Sequence, residues 1–330
     1  MKDYYSSADF IKSPKYDAHV HYHTFADLFV RKAKKANIRL LSINTDFDFL
    51  SIDKQFEISQ FHHQHHPKTF DFICTFDSSA FASTTFTEDT VGYIKKCIEA
   101  GARGVKIWKN IGMNLKNETG QYIMADDPVF TPILEFLEKE KIPLLAHLGD
   151  PLKRWLHKYL NPEVPSYEQQ IVARDRILER HPGLIFIGAH FGSMEWNFAE
   201  VAKRLDKFPN FYIDISSRFD YIIEQTLKDR NIVIDFFRTY QNRILYGSDF
   251  FVFPHYSRRW LNLLCEYFPY LLYIDFFQKI KKHWLFLATD KVIKTEKIIT
   301  KSESPEYMEG LKLSKTIVDR IFYENAAILF

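Results

Sequence analysis

Eight short apolar runs, separated by stretches with helical periodicity, constrain the fold of this sequence more than any other feature. They lie at 17–21, 38–43, 70–76, 104–108, 142–146, 184–188, 211–215 and 244–246. Between them, apolar residues recur at three- and four-residue spacing. Examples are Phe29, Ala33 and Ala36 within 27–37, Val91, Ile94 and Ile98 before Gly101, Val129, Ile133, Phe136 and Leu137, and Phe198, Val201, Ala202 and Leu205. A charged helix is expected at 172–180, and a final helix at 314–330 with a serine cap and an inner face of Ile317, Ile321 and Leu329. Strands that read as continuous apolar runs are buried on both faces, the pattern of a parallel sheet covered by helices. Eight such repeats favour a closed (β/α)8 TIM barrel over an open doubly wound sheet.

At 330 residues the chain is long enough for one such barrel, which needs about 250. The segment 268–313 breaks the rhythm and is expected to be either an excursion that shields a site or meets another subunit, or a long solvated connection with a small hairpin. With 31 Phe and 18 Tyr the sequence is too aromatic for disorder, and a net charge of only +2 gives no concentrated basic surface for nucleic acid. The N-terminus has no apolar core of a signal peptide, and no run reaches the length of a membrane span. Cys74, Cys97 and Cys265 are scattered, without paired spacing, and read as reduced core residues of a cytoplasmic protein.

In such barrels chemistry gathers where strands end. The first strand ends in Asp17-Ala18-His19-Val20-His21, and side chains two apart on a strand face the same way. The fourth ends in Lys106, Trp108 and Lys109, the fifth in His147, the sixth in His190, the seventh in Asp214 and Ser216, and the eighth in Asp249. Taken singly, His147 or His190 reads better as a hydrogen-bonded core histidine, and Asp249 as a cap. Their joint occurrence points to a divalent metal held by a mixed nitrogen and oxygen set, with Zn²⁺ the first choice. A second cluster, His62, His63, His65 and His66, is expected to be surface.

These residues resemble the amidohydrolase superfamily, in its amidohydrolase-2 branch, which includes aminocarboxymuconate-semialdehyde decarboxylase, related decarboxylases and lactone hydrolases. The matching pieces span nearly the whole chain in family order: Tyr16-Asp17-Ala18-His19-Val20-His21, Gly101-Ala102-Arg103-Gly104-Val105-Lys106, Pro143-Leu144-Leu145-Ala146-His147, Gly188-Ala189-His190-Phe191-Gly192, Asn210-Phe211-Tyr212-Ile213-Asp214-Ile215-Ser216, Leu245-Tyr246-Gly247-Ser248-Asp249 and Glu324-Asn325-Ala326-Ala327. The short stretch before His19 also resembles this branch, because many other superfamily members carry part of a separate β-sandwich domain there. The segment 268–313 departs from the family by its length.

The resemblance implies that His19, His21, His147 and Asp249 ligate one divalent ion. His190 then acts on substrate or water, or joins Lys106 as a ligand if two ions are bound. It implies hydrolysis of an amide, lactone or other ester in a small molecule, with Asp249 and His190 as catalytic groups. The alternative is non-oxidative decarboxylation of an unsaturated or aromatic acid, whose carboxylate would meet Arg218, Lys109 or Arg154. Trp108, Lys109 and Arg218 are the substrate-binding candidates, with Trp155, Phe250, Phe251, Phe253 and Tyr256 as further aromatic residues near the mouth. A barrel kept as a non-catalytic scaffold is a third class. No nucleic-acid or membrane partner is expected, and a homo-oligomer is an expectation of the resemblance alone.

Overall fold

The structure, a computed structural model, describes residues 2–46, 50–150, 163–252, 268–294 and 306–330. Arg154, Trp155, Phe253, Tyr256 and Cys265 lie outside the described residues. The described elements alternate strand and helix in the order of a (β/α)8 fold. Two compact units are distinguished, one of Met1–Ser42, Phe61–Phe70 and Ile215–Leu329, the other of Ile43–Gln60 and Asp71–Asp214 with Phe330. No helix among the described residues is long and apolar enough to cross a membrane.

In the first unit, β1 (Lys15–Tyr22) is buried along its whole length and pairs in parallel with β2 (Ile38–Ile43), Lys15 opposite Ile38 and Asp17 opposite Leu40. On its other side Ala18 N–H donates to the Tyr246 carbonyl at 2.9 Å, following β8 (Ile244–Leu245). The chain then runs on as β9 (Phe250–Val252), with His21 opposite Phe251. The helix Leu28–Lys35 buries Phe29, Val30 and Ala33, and ends before Asn37, which takes the left-handed φ of +57° that asparagine tolerates at a helix end.

Within 268–313 the described residues form the 21-residue helix Phe268–Ala288 and an antiparallel pair, β10 (Val292–Lys294) with β11 (Tyr307–Glu309). That helix lies on Leu28–Lys35 through Phe276, whose ring centroid is 4.7 Å from Phe29. Its Trp284 is fully buried beside Tyr5 and Phe10, at 5.3 and 5.5 Å. At the C-terminus Ser314 occupies the position before Lys315–Asp319 without a side-chain capping bond, its carbonyl accepting from Val318 N–H at 3.0 Å, and a π-helical turn, Arg320–Glu324, leads into Asn325–Leu329. Asn325 Nδ2 donates to the carbonyls of Gln241 and Ile244, at 2.7 and 2.8 Å, which pins the start of β8. Ile317 and Ile321 are buried, whereas Leu329 is only half-buried.

The second unit carries β3 (Phe70–Ile73), β4 (Val105–Ile107), β5 (Leu144–Ala146), β6 (Phe186–Gly188) and β7 (Phe211–Asp214). The last four pair in parallel, Val105 with Leu144, Leu144 with Phe186, and Phe186 with Phe211, while Cys74 bridges to Val105. Gly104 is required where β4 begins, since a Cβ there would stand 2.7 Å from the Pro143 carbonyl oxygen that bonds Val105. The helix expected at 172–180 begins five residues earlier, as Tyr167–Arg180. Ser166 accepts from Gln169 N–H while the Gln169 side chain returns to Ser166 N–H, a capping box that starts it there. Cys74 and Cys97 are buried free thiols.

The histidine cluster is not all surface. His62, His63 and His65 fall on the helix Ile52–His65 and His66 directly follows it; His62 shares a face with Ser59 and is fully buried, whereas His63, His65 and His66 are at least partly exposed. A buried imidazole is tolerable because His62 Nε2 donates to the Thr24 carbonyl at 2.7 Å. Burial holds its pKa down at about 4.

Candidate metal centre

The end of β1 carries His19, His21 and, two residues on, His23, all buried. The chain beyond β8 returns against it. Asp249 N–H donates to the His19 carbonyl at 2.8 Å, and Ser248 N–H to Asp17 Oδ1 at 2.8 Å. Gly247 permits this approach, because a Cβ on it would meet the His19 Cβ at 2.7 Å and the Ser216 Cβ at 2.9 Å. The outcome is a convergence. Asp249 Oδ1 lies 3.6 Å from His19 Nε2 and 3.3 Å from His21 Nε2, and one ligand atom from each of the three lies within 4.8 Å of the others. Two donors about 2.1 Å from a tetrahedral ion stand roughly 3.4 Å apart, so this spacing and donor chemistry fit a divalent metal.

The surroundings fix the donors. Ser216 Oγ is 3.2 Å from His19 Nδ1, so an Nδ1–H bonded to it leaves the Nε2 lone pair toward Asp249. Ser217 Oγ donates to Asp249 Oδ2 at 2.5 Å. Phe251, partly exposed, lies flat on the His21 ring at 4.3 Å between centroids and 17° between planes. Beneath the ligands, burial pushes the Asp17 carboxyl up to about 6, against the hydrogen bonds that favour its charged form. His23 is held down at about 3, first by burial and then by the neighbouring His21. Asp249 itself adopts φ +54°, and Ser217 φ +53°. Such backbone is uncommon for residues other than glycine and gathers at functional sites. Arg218, next to Ser217, is buried and donates through Nη1 to the Ser217 carbonyl at 3.1 Å.

In the second unit Lys106 is buried on β4, and its carbonyl accepts from Thr75 Oγ1 at 2.9 Å. His147 follows β5 and His190 follows β6, with their rings edge to face at 4.4 Å. His190 begins a left-handed turn of four residues, His190, Phe191, Gly192 and Ser193, all with φ between +58° and +63°. His190 N–H donates to Asp214 Oδ1 at 2.9 Å. The buried Arg174 donates to the Gly192 carbonyl at 2.7 Å, and Tyr167 Oη to that of Ser193 at 2.7 Å. Lys109 pairs with the buried Asp150 at 2.5 Å, and its ammonium stands 5.5 Å from the Trp108 ring.

The sequence reading passed over His23, Ser217, Arg174 and Tyr167. His23 continues the two-residue alternation of His19 and His21 and was open to the same argument. The other three carry no local signal, since their contacts are made across the fold.

A family model described as amidohydrolase matches residues 78–330, a span that contains His147, His190 and Asp249 and begins after His19 and His21. No curated protein matches the chain. Among solved structures, the chain is similar to an uncharacterised TIM-barrel protein from Bordetella bronchiseptica, at 14% identity and a TM-score of 0.53, over 96% of this chain and 98% of that one. It is similar to a structure described as amidohydrolase II, at 14% identity and a TM-score of 0.51, over 96% and 99%. A 2,6-dihydroxybenzoate decarboxylase from Rhizobium is 16% identical with a TM-score of 0.47, over 72% and 88%. At these identities the two likenesses with a TM-score above 0.5 speak for the fold alone, a (β/α)8 TIM barrel. The family model, matching more than three quarters of the sequence, goes further: this chain belongs to the amidohydrolase-2 family of the amidohydrolase superfamily.

Proposed function

We propose that the protein is a metal-dependent hydrolase that cleaves an amide, lactone or other ester bond in a small molecule. The observation that carries this reading is the approach of His19 Nε2 and His21 Nε2 to one oxygen of Asp249, at 3.6 and 3.3 Å. These three residues, with His147 from the end of β5, would hold one divalent ion, Zn²⁺ first among the candidates. Bound there, such an ion polarises a carbonyl and acidifies water from a pKa of about 16 toward 7.

The chain's own residues would do the rest. Asp249 accepts a proton from the attacking water and delivers it to the leaving group, with Ser217 holding the far oxygen in place. His190, its backbone anchored by Asp214, steadies the developing oxyanion or acts as base. Trp108, Lys109 and Arg218 contact substrate.

A second reading, non-oxidative decarboxylation of an unsaturated or aromatic acid, is favoured by one observation. The buried guanidinium of Arg218 stands one residue from Ser217, the partner of Asp249, where a substrate carboxylate would find a bidentate cation. Incubating the Zn²⁺-loaded and Mn²⁺-loaded protein with panels of lactones, amides and aromatic acids, while following ring opening, amide cleavage and CO₂ release, separates the two. Lactone or amide turnover without CO₂ supports the hydrolase. CO₂ release alone would replace it with the decarboxylase.

A further inference from the structure

The long helix Phe268–Ala288 sends two side chains, one turn apart, to the end of β8. His283 Nδ1 lies 2.9 Å from the Tyr246 hydroxyl, and Lys279 Nζ donates to the Ser248 carbonyl at 2.7 Å. The second contact is unusual in what it holds. The Ser248 carbonyl and the Asp249 N–H belong to the same planar peptide unit. Its N–H is bonded to the carbonyl of His19 at 2.8 Å, and its oxygen to the ammonium of Lys279. Both ends of the unit are therefore fastened, one to the strand that carries the histidines and the other to a helix.

Rotation of this peptide would change ψ of Ser248 and φ of Asp249 together. Asp249 sits at φ +54°, a conformation a non-glycine residue leaves when nothing restrains it. Relaxation to negative φ would swing the Asp249 carboxylate away from His19 Nε2 and His21 Nε2. Ser217 restrains the carboxylate, but only Lys279 among the bonds described above restrains the Ser248 oxygen. A charged donor to a carbonyl is roughly twice as strong as a neutral one, which suits it to hold a strained unit.

From this geometry we infer that Lys279 is a positioning residue for the metal centre, locking the Ser248–Asp249 peptide so that Asp249 faces the two histidines. The inference rests on the metal-binding reading proposed above. It makes ligand geometry depend on a helix that supplies no ligand.

The test is a double-mutant cycle on the full chain, with Zn²⁺ and Mn²⁺ each titrated against a chromophoric chelator. Lys279→Met is expected to weaken metal affinity by about 10–100-fold, the range for residues that support a ligand, with Lys279→Arg recovering most of the loss. In the Asp249→Asn background, Lys279→Met is expected to change affinity by less than about twofold, because the ligand it positions is already gone. A purely structural lysine would move the urea midpoint and leave affinity per folded chain unchanged. If the Met variant does not fold, Lys279→Gln, neutral and one atom too short to keep the contact at the Ser248 oxygen, replaces it. Unchanged affinity in the single variant, or an equal loss in both backgrounds, overturns the inference while the metal reading stands. A wild-type chain that binds no metal, or binds it no better than Asp249→Asn, overturns the metal reading and the inference with it.

Discussion

Asp249 combines three demands on one residue: a left-handed backbone, a carboxylate oxygen facing two imidazoles, and a second oxygen bonded by Ser217. The strain, of order 1–3 kcal/mol, persists only because its surroundings over-determine it. Ser217→Ala removes one of those restraints at an exposed position, so metal affinity should fall by about 10–100-fold while the urea midpoint stays near that of the wild type. Gly247→Ala acts more severely. Its new Cβ would need the space of the His19 and Ser216 Cβ atoms, at 2.7 and 2.9 Å, costing about 1–3 kcal/mol of stability and most of the metal affinity. Denaturant unfolding and chelator competition on the same sample check both effects. The strand-end positions of His19, His21, His147, His190 and Asp249 were legible, since histidine and aspartate after apolar runs are conspicuous. Ser217 and Lys279 were not, because serine and lysine are ordinary surface residues and only the folded chain gives them their partners.

Among elements, the short strands were read close to their observed places, their apolar runs being unmistakable. The helix Phe268–Ala288 escaped, because a segment with apolar residues on most sides shows no 3.6-residue stripe. Its buried Trp284 and the Phe29–Phe276 contact give it the role of a packed barrel helix. The buried His62 escaped for the opposite reason: four histidines in five residues look solvated, and only the helical register turns one of them inward. The left-handed turn after β6 has no sequence signature beyond Gly192. It is maintained by bonds from the helix Tyr167–Arg180, so Arg174→Met should cost about 2 kcal/mol, the range for a hydrogen bond from a charged group. The loss is moderated because Asp175, the ion partner of Arg174, keeps Arg204 at 3.2 Å. The urea midpoint of that variant against the wild type is the measurement.

For the molecule as a whole, the buried histidines make stability depend on pH. His62 has a folded pKa of about 4 against an ordinary value of 6.5, so the unfolded chain takes up its proton first. The contribution of His62 to stability is therefore full above pH 6.5, falls by about 3 kcal/mol as pH drops from 6.5 to 4, and levels off below, while Asp17, its carboxyl pushed up to about 6, acts in the opposite direction over much of that window. His283, also held low by burial, acts in the same direction as His62. His62→Gln, which can still donate to the Thr24 carbonyl, should flatten the dependence by that share when urea midpoints are compared at pH 7, 5 and 4. An unchanged slope would remove His62 from the account.

The central claim, that the ends of β1 and β8 build a metal site, is tested most directly by the metal content of the folded chain after loading and desalting. The wild type should retain about one divalent ion per chain, while His19→Ala and Asp249→Asn, folded by circular dichroism, should retain almost none. Full metal content in either variant would contradict the assignment.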